Sequence, residues 1–432
     1  MASAIIGLQF GDEGKGKVID LLSPDFTHIV RAQGGNNAGH SVIANGKEYH
    51  FHLIPSGVLY SHTKCYLGAG VVIDPEGLEK ELLQLEKDRI NIEGRLFISK
   101  YAHVVFPFHK ILDKANELKK NSSIGTTGKG IGPCYTDRAA RVGMRVADLL
   151  DEAVFEKMAK ALLENKNKQL AMLGCDLLDA KAFYVTCEYY KKLLKPFACD
   201  IEQKIFYNID PSKVLLEGAQ GTFLDGLYGT YPFVTSSNTC MAGVCLGSGF
   251  PPRAIKEVIG VVKAYTTRVG NGFLVTEFED VEKSILGDNS SAREKGTTTG
   301  RDRRMGWLDL VMLRYAIRLN GVTSLALTKL DILDHLEKIK ICTSYEIGGV
   351  HSEIFPASTT ELESSKPVYE ILDGWMSSTK ECKEQDDLPE KALNYLARIE
   401  EFCEVPIKIV SVGPEREKVI RSCDLTKRKI SV

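Results

Sequence analysis

The stretch Gly7-Leu-Gln-Phe-Gly-Asp-Glu-Gly-Lys-Gly-Lys17 decides the fold of this 432-residue chain. The apolar run Ala4-Ile-Ile6 precedes it and Val18-Ile-Asp-Leu-Leu22 follows, which predicts a strand, a glycine loop and a helix in succession. Glycines in such a loop lack the Cβ atoms that would block close approach, so backbone N–H groups can converge on a phosphate at the positive end of the helix. Gly11 to Lys17 fits the G-x-x-x-x-G-K pattern of a P-loop.

The position after Lys17 departs from the usual P-loop, because Val18 stands where a Ser or Thr hydroxyl would bind Mg²⁺. The metal must find another oxygen, and Asp12 inside the loop is the candidate. A carboxylate there would repel a triphosphate unless a divalent cation lay between them. We interpret Asp12 as a metal ligand, a base or both. The alternative is an ordinary glycine-rich turn in which Asp12 and Glu13 cap the helix.

The succession of strand, glycine loop and helix predicts an α/β protein with a mostly parallel central sheet flanked by helices, as in P-loop NTPases. At 432 residues we expect one large domain, residues 1–432, with inserted segments at about 45–75 and 100–205. Apolar residues make up 44% and charged residues 26%, which is ordinary for a folded protein. The net charge of −2 gives no reason to expect nucleic acid or a membrane as partner.

The eleven cysteines form no C-x-x-C pair and no zinc-type spacing. Their odd number predicts reduced thiols, and a first strand that starts close to Met1 leaves no room for a leader peptide, so we expect a cytoplasmic protein. No apolar stretch is long enough to span a bilayer.

Polar loops follow two further predicted strands. The strand His28–Arg31 leads into a Gly- and Asn-rich loop with Asn37 and His40, and Val214–Glu217 leads into the loop that carries Gln220. Loops at the carboxyl ends of strands form the ligand crevice of an open α/β sheet, so these loops are expected to face the first one. His40 could be a turn histidine without chemistry, but its polar neighbours favour a general acid.

Two more loops are rich in anion-binding groups. Gly125-Thr-Thr-Gly-Lys-Gly-Ile-Gly-Pro133, which we call the second glycine loop, is followed by Arg138, Arg141 and Arg145, a set that suits a phosphate monoester. A mobile surface loop is the alternative. Gly296-Thr-Thr-Thr-Gly-Arg-Asp-Arg-Arg304 combines hydroxyls with arginines, whose forked groups grip carboxylates and phosphates.

Thr328-Lys-Leu-Asp331 at the end of a predicted strand is close to the Asn/Thr-Lys-x-Asp pattern of guanine-nucleotide-binding proteins. One carboxylate can accept both the N1–H and the N2 amino group of guanine, whereas the unprotonated N1 of adenine would repel it. Together with a phosphate loop, the pattern favours GTP over ATP.

In order and spacing these motifs resemble the adenylosuccinate synthetase family along essentially the whole chain. The six motifs are Gly11-Asp-Glu-Gly-Lys-Gly-Lys17, Gly34-Gly-Asn-Asn-Ala-Gly-His40, Gly125-Thr-Thr-Gly-Lys-Gly-Ile-Gly-Pro133, Glu217-Gly-Ala-Gln-Gly-Thr222, Thr297-Thr-Thr-Gly-Arg301 and Thr328-Lys-Leu-Asp331. The resemblance implies a ligase that joins IMP and L-aspartate at the expense of GTP, giving adenylosuccinate, GDP and phosphate. That reaction is the first committed step from IMP to AMP in purine biosynthesis.

The resemblance also implies catalytic roles. Asp12 would remove the N1 proton of IMP, and His40 would act as the acid while O6 attacks the γ-phosphate, giving a 6-phosphoryl-IMP intermediate. Lys15 and the loop amides would neutralise charge, and Gln220 would complete the catalytic set. The cofactor Mg²⁺ would lie between Asp12 and the Gly39 carbonyl.

Binding residues follow from the same resemblance. The GTP set is Gly11, Asp12, Glu13, Gly14, Lys15, Gly16, Lys17, Gly39, His40, Ser41, Arg303, Lys329, Leu330, Asp331, Ser411, Val412 and Gly413. The IMP set is Asp12, Asn37, Ala38, Gly39, His40, Thr127, Arg141, Gln220, Thr235 and Arg301, with Arg141 supplied by the partner subunit of a homodimer. The aspartate set is Thr297, Thr298, Thr299, Gly300, Arg301 and Arg303. Asp302, an acidic residue in this basic loop, departs from the pattern and is expected to face solvent.

Two other classes of protein stay open from the residues alone. A GTPase switch would need no second substrate site, whereas this chain carries a second glycine loop and an arginine loop. A different GTP-dependent ligase or kinase could use the same scaffold. GTP turnover measured with and without IMP and aspartate would distinguish a GTPase switch from a ligase. A comparison of purine substrates would distinguish this ligase from a different GTP-dependent ligase or kinase.

Overall fold

The computed structural model describes residues 1–44, 46–119, 125–279 and 302–421, with the backbone alone at 205–208. In these ranges the helices are α1 (Lys15–Leu22), α2 (Pro75–Lys87), α3 (Pro107–Lys119), α4 (Ile131–Ala140), α5 (Val146–Leu150), α6 (Glu152–Met172), α7 (Ala180–Leu194), α8 (Ile201–Asn208), α9 (Met241–Ser248), α10 (Leu310–Asn320), α11 (Thr359–Ser364) and α12 (Glu390–Cys403). The strands are β1 (Ala2–Gly7), β2 (His28–Gly34), β3 (His40–Ala44), β4 (Lys47–Phe51), β5 (Lys64–Ile73), β6 (Leu96–Ser99), β7 (His103–Val104), β8 (Ala198–Cys199), β9 (Val214–Glu217), β10 (Ile255–Lys263), β11 (Thr266–Arg268), β12 (Arg304–Gly306), β13 (Leu308–Asp309), β14 (Ser324–Thr328), β15 (Lys338–Ile347), β16 (Val350–Ser352), β17 (Lys366–Asp373), β18 (Ile407–Ser411) and β19 (Val419–Arg421).

A central sheet carries the fold, in the strand order β19-β18-β14-β10-β1-β9-β2-β5-β6-β8, with β7 beside β5. Its pairings are parallel except the one between β18 and β19. All six residues of β1 are buried. A strand buried on both faces reads as a continuous apolar run, which explains the run that opens the chain.

Helices cover both faces of this sheet. Ile6 belongs to the same apolar cluster as Leu313 of α10 and Leu396 of α12. Its neighbour Ile5 packs instead with Val18 and Ile19 of α1. Because successive residues of a strand point to opposite faces, the two clusters lie on opposite sides of β1. The predicted fold class, a mostly parallel sheet flanked by helices, is confirmed.

The first inserted segment is shorter than the predicted 45–75. Residues 64–73 form β5, which pairs with β2 and β6 inside the central sheet. Outside the sheet are the β3–β4 hairpin and the turn that follows it. The prediction was too long because the turn residues between Phe51 and Lys64 gave no sign that the next apolar run pairs with strands of the central sheet. The second segment, at about 100–205, contains helices α3 to α7. Apolar residues of α3, α5, α6 and α7 form one cluster with residues of α2 and of the central strands β5 and β6, and the end of the segment returns to the sheet edge as β8.

The strand order explains why the polar loops meet. β9 lies between β1 and β2, while β10 and β14 follow on the other side of β1, and all five run in the same direction. Their carboxyl ends therefore form one edge, where an open α/β sheet binds its ligands. In the described ranges, no helix combines the length and apolar character needed to cross a membrane.

Candidate active site

The first glycine loop makes a tight turn between β1 and α1. Gly11, Asp12 and Gly14 have φ angles of 87°, 59° and 92°. Gly7 must be glycine for a different reason, since a Cβ there would lie 2.4 Å from Oε2 of Glu13 and 2.5 Å from the Gln220 carbonyl oxygen. The loop therefore packs directly against the loop that follows β9.

Glu13 braces this loop from inside. Its Oε1 accepts hydrogen bonds from the backbone N–H groups of Gln9 (3.0 Å) and Gly11 (2.8 Å), and its Oε2 accepts one from Nζ of Lys15 (2.5 Å). The Glu13 and Lys15 side chains are both buried. The alternative interpretation required Glu13 to cap α1. The N-cap of α1 is Gly14, and no side chain caps the helix, so that role is not seen. A buried ion pair supports the shape of the turn instead.

The carboxylate of Asp12 is paired with the guanidinium of Arg303. Nε and Nη2 of Arg303 donate to its Oδ2 over 2.9 and 2.8 Å. Arg303 directly precedes β12, which pairs with β11 next to the central sheet. The neighbouring Asp302 is exposed, as the sequence predicted. The carboxylate of Asp12 is thus oriented so that it can interact with a positively charged group.

His40 lies at the start of β3 in a buried polar network. Its Nδ1 is 2.5 Å from Oε1 of Glu217, which also lies 3.3 Å from Nη1 of Arg31. Burial lowers the pKa of His40, and Glu217 opposes that shift. Burial raises the pKa of Glu217, but His40 and Arg31 outweigh it, so that the net shift is downward. Since Nδ1 faces the carboxylate, Nε2 is the ring nitrogen left for chemistry.

Gln220, three residues after the end of β9, reaches the loop after β2. It has a left-handed backbone with φ of 58°, and its Nε2 donates to Oδ1 of Asn37 over 3.2 Å. Oγ of Ser237 donates to its Oε1 over 3.4 Å. Amide and hydroxyl groups therefore meet at a residue that the resemblance assigns to IMP binding.

A single cavity of about 1140 Å³ joins these loops. Of the predicted residues it is lined by Gly11, Asp12, Gly14, Lys15, Gly16, Lys17, Asn37, Ala38, Gly39, His40, Ser41, Thr127, Gln220, Thr235, Arg303, Lys329, Ser411 and Gly413. Its volume exceeds that of a typical site for one small ligand, which suits several substrates bound together. Glu13, Leu330, Asp331 and Val412 are buried behind its wall. Arg141 is exposed outside it. Thr297, Thr298, Thr299, Gly300 and Arg301 lie outside the described residues.

Three hydrogen bonds link the phosphate loop to the predicted base site. Oγ1 of Thr328 donates to the Glu13 carbonyl (2.6 Å), and Nζ of Lys17 donates to Oγ of Ser411 and the Gly413 carbonyl, both at 2.7 Å. Burial lowers the pKa of Lys17 to about 8. Burial also raises the pKa of Asp331, with a further contribution from Asp334. The predicted base site and phosphate loop thus form one continuous wall.

Arg268 lines the cavity without having been predicted. It donates to Oγ1 of Thr230 and the Phe233 carbonyl, both over 2.9 Å, and stacks on Phe10 at 4.4 Å. Burial lowers its pKa to about 9. The available signal was an arginine at the end of Thr266-Thr-Arg268, just beyond the buried strand β10, at the same sheet edge. It joins the first loop to the segment that carries Thr235.

Comparisons with known proteins identify a family for this chain. Residues 4–420 match the family described as adenylosuccinate synthetase. The chain is 48% identical to the adenylosuccinate synthetase of Caldanaerobacter subterraneus subsp. tengcongensis over 423 residues, covering 97% of this chain and 98% of the relative. It is likewise 48% identical to the enzyme of Clostridium kluyveri over 424 residues, with the same coverage.

Solved structures are similar too. The fully ligated adenylosuccinate synthetase from Plasmodium falciparum superimposes with a TM-score of 0.91 at 37% identity, covering 98% of this chain and all of that one. A cyanophage S-2L succinoaminodeoxyadenylate synthetase, bound to dGMP and dATP, shares the fold at a TM-score of 0.62 and 19% identity. The chain therefore belongs to the adenylosuccinate synthetase family and, like it, is a GTP-dependent ligase that joins IMP and L-aspartate on the way to AMP.

Proposed function

We propose that this chain performs the ligation in two steps, with Asp12 as the base and His40 as the acid. Asp12 takes the N1 proton of IMP, so that O6 attacks the γ-phosphorus of GTP while the bond to the β-phosphate oxygen breaks and GDP leaves. The amine of aspartate then attacks C6 of 6-phosphoryl-IMP, phosphate leaves with O6, and the amine gives up a proton. The observation that carries this proposal is that Asp12 and His40 line one cavity between the phosphate loop and the predicted IMP contacts.

The surroundings of His40 support the role of an acid. Glu217 lies against Nδ1, which orients the ring and favours the imidazolium form. Negative charge on a bound triphosphate would favour it further, opposing the effect of burial. Nε2 can then donate to the oxygen on which charge develops.

Mg²⁺ fits the donors at the first loop. Asp12 and the Gly39 carbonyl are the hard oxygen ligands that this ion prefers, and both residues line the cavity. The Arg303 guanidinium pairs with Asp12, so the carboxylate of Asp12 lies where it already interacts with positive charge. When bound, Mg²⁺ would supply charge neutralisation for the phosphates of GTP. Val18 needs no hydroxyl in this arrangement.

The remaining substrates divide the cavity. We assign the GTP phosphates to the first loop, with Lys15 and Gln220 completing the catalytic set, and guanine to the segment around Lys329 and Asp331. IMP is assigned to Asn37, Ala38, Thr127, Gln220, Thr235 and Arg301, and aspartate to Thr297, Thr298, Thr299, Gly300, Arg301 and Arg303. The exposed position of Arg141 supports the proposal that it serves a partner subunit of a homodimer. Ten free cysteines in the described ranges support a cytoplasmic location.

Complementation between two impaired variants tests the site and the dimer together. Asp12→Asn should abolish turnover, because the base is lost, and Arg141→Leu should raise the KM for IMP. In a 1:1 mixture of refolded variants, random pairing gives about one quarter of the sites both an intact base and an intact arginine. We therefore expect partial recovery of adenylosuccinate formation at an IMP concentration that does not saturate Arg141→Leu. Full activity of Asp12→Asn would reject the base, and no recovery on mixing would reject the shared site.

The fate of oxygen tests the intermediate. In IMP labelled with oxygen-18 at O6, the two-step route transfers the label to inorganic phosphate, whereas direct displacement by aspartate would not. Mass spectrometry of the released phosphate distinguishes them.

A further inference from the structure

Helix α3 carries a row of side chains against the second glycine loop. His109, Asp113 and Glu117 are spaced i, i+4 and i+8, so they lie on one face of the helix. We call these three residues the α3 row. The loop residues Gly125 to Gly130 contact the row along its length, from Glu117 at the start of the loop to His109 at its end.

Two carboxylates of the row take four donors of the loop. Oδ1 of Asp113 accepts a hydrogen bond from Oγ1 of Thr126, and its Oδ2 accepts one from the Gly130 N–H, both over 2.9 Å. Oε1 of Glu117 accepts from the N–H groups of Gly125 (2.6 Å) and Thr126 (3.2 Å). The donors on both sides of Thr127 are therefore fixed to α3, while Thr127 lines the cavity.

The third member, His109, holds the end of the loop close to the helix. Gly130 has φ of 76°, and a Cβ added there would lie 2.8 Å from the Cβ of His109. The imidazole accepts from the Phe106 N–H at Nδ1 (2.9 Å), so Nε2 carries the proton and donates to Oδ2 of Asp137 (3.0 Å). Asp137 in turn lies 2.5 Å from Nζ of the buried Lys166.

These contacts join three helices into a rigid support. His109 lies on α3, Asp137 on α4 and Lys166 on α6, and all three side chains are buried. An ordered helix is a more exact support for a binding group than a loop rich in glycine, which loses much conformational entropy when it is fixed.

We propose that Asp113 and Glu117 are positioning residues that hold the second glycine loop so that Thr127 meets IMP. The inference rests on the proposed function, in which Thr127 contacts that substrate. The carboxylates satisfy the flanking donors of the loop in advance, so that less ordering remains when IMP binds. Their removal should weaken IMP binding and leave GTP binding unchanged.

The two carboxylates should differ in how they tolerate an amide. Asp113 uses both oxygens for two different donors, so an asparagine must turn its NH₂ group toward one of them. Glu117 uses one oxygen for both donors, so a glutamine can keep both bonds. We therefore expect Asp113→Asn and Glu117→Leu to be harmful and Glu117→Gln to be the mildest of the three.

Steady-state kinetics and amide hydrogen exchange test this together. Asp113→Asn and Glu117→Leu should raise the KM for IMP by roughly tenfold or more, the effect of losing a hydrogen bond to a charged group. The KM for GTP and the kcat at saturation should stay within about threefold of wild type, while exchange of residues 125–130 in the ligand-free protein becomes faster. Glu156→Gln, which removes an exposed carboxylate from α6, is the control and should change neither.

The outcomes separate the inference from its premise. Thr127→Val should itself raise the KM for IMP, and an unchanged value would reject the proposed role of Thr127. If Thr127→Val is impaired but Asp113→Asn leaves both KM and exchange unchanged, the inference fails while the proposed function stands. Tighter IMP binding in Asp113→Asn would also overturn it, because the carboxylate would then compete with the phosphate. A melting temperature near that of wild type shows that a variant is folded.

Discussion

The first and second glycine loops use the same chemistry in different settings. Both have backbone N–H groups held by carboxylates, but the first loop supplies its own in Glu13, whereas the second takes Asp113 and Glu117 from α3. The first loop lies between a central strand and a helix of the sheet, while the second joins two helices of the inserted segment. A loop whose N–H groups are bonded by its own carboxylate can be recognised from the local sequence. For a loop whose N–H groups are bonded by another helix, the bonding partners depend on the tertiary packing.

The difference also concerns burial. Glu13 and Lys15 are both buried, and they form an ion pair in the loop that follows β1. Asp113 and Glu117 line the cavity and are partly open. Loss of Glu13 should therefore lower both stability and turnover, whereas loss of Asp113 or Glu117 should weaken the binding of IMP alone.

The largest effect is expected from Glu13→Ala. It removes the partner of buried Lys15 and the acceptor of two N–H groups, and breaking a buried ion pair in this way costs about 3–5 kcal/mol. The free energy of unfolding from urea titration should fall by about that amount, and turnover should fall with it. An exposed carboxylate change, Glu156→Gln, is the matched control. A loss below about 1 kcal/mol would contradict the contrast between the two loops.

A smaller effect should appear as a pH dependence on the GTP side of the cavity. Burial lowers the pKa of Lys17 to about 8, opposed by Asp331, Glu415 and Glu417. Above that pH the free enzyme loses the ammonium charge, so kcat/KM for GTP should be about half its maximum at pH 8 and about tenfold lower at pH 9. Lys17→Arg keeps its charge throughout and should remove this decline. A decline that persists in Lys17→Arg would assign it to another group.

The smallest effect is expected from Gly128→Ala in the second loop. Gly128 has φ of 67°, and an added Cβ would meet only the Lys114 side chain, 3.6 Å away. The cost is then mainly that of a left-handed alanine, about 1 kcal/mol, or roughly fivefold in the KM for IMP. Gly321→Ala at the end of α10, with φ of 61°, should cost similar stability without changing this KM. Equal changes in both variants would mean that the second loop has no specific link to IMP.

Much of the fold could be predicted from local patterns. The apolar runs of β1 and β14 predict buried parallel strands, because such strands are covered on both faces. The glycine loop after β1 and the motif after β14 then fall at one sheet edge. The predicted family was confirmed along the chain. The extent of the first insertion was not predictable, since an apolar run such as 64–73 does not tell which strands it will pair with.

Side-chain partners were harder to predict than positions. The sequence identified Asp12 and Arg303 as separate site residues, but their contact joins positions 291 residues apart. Glu13 was considered as a helix cap and is instead the brace of its loop. Arg268, Asp113 and Glu117 were not singled out, because a single charged residue at a strand end or on a helix has no motif around it.

The sequence by itself determined the strand, loop and helix units and the kinds of group they carry, because backbone conformation and apolar spacing are local properties of a chain. Only the tertiary structure decided which of those groups meet. The order β1-β9-β2 brought His40 to Glu217, and the packing of α3 beside the second glycine loop brought Asp113 and Glu117 to its N–H groups. Contacts between distant segments depend on strand order and helix packing, which no short stretch of sequence contains.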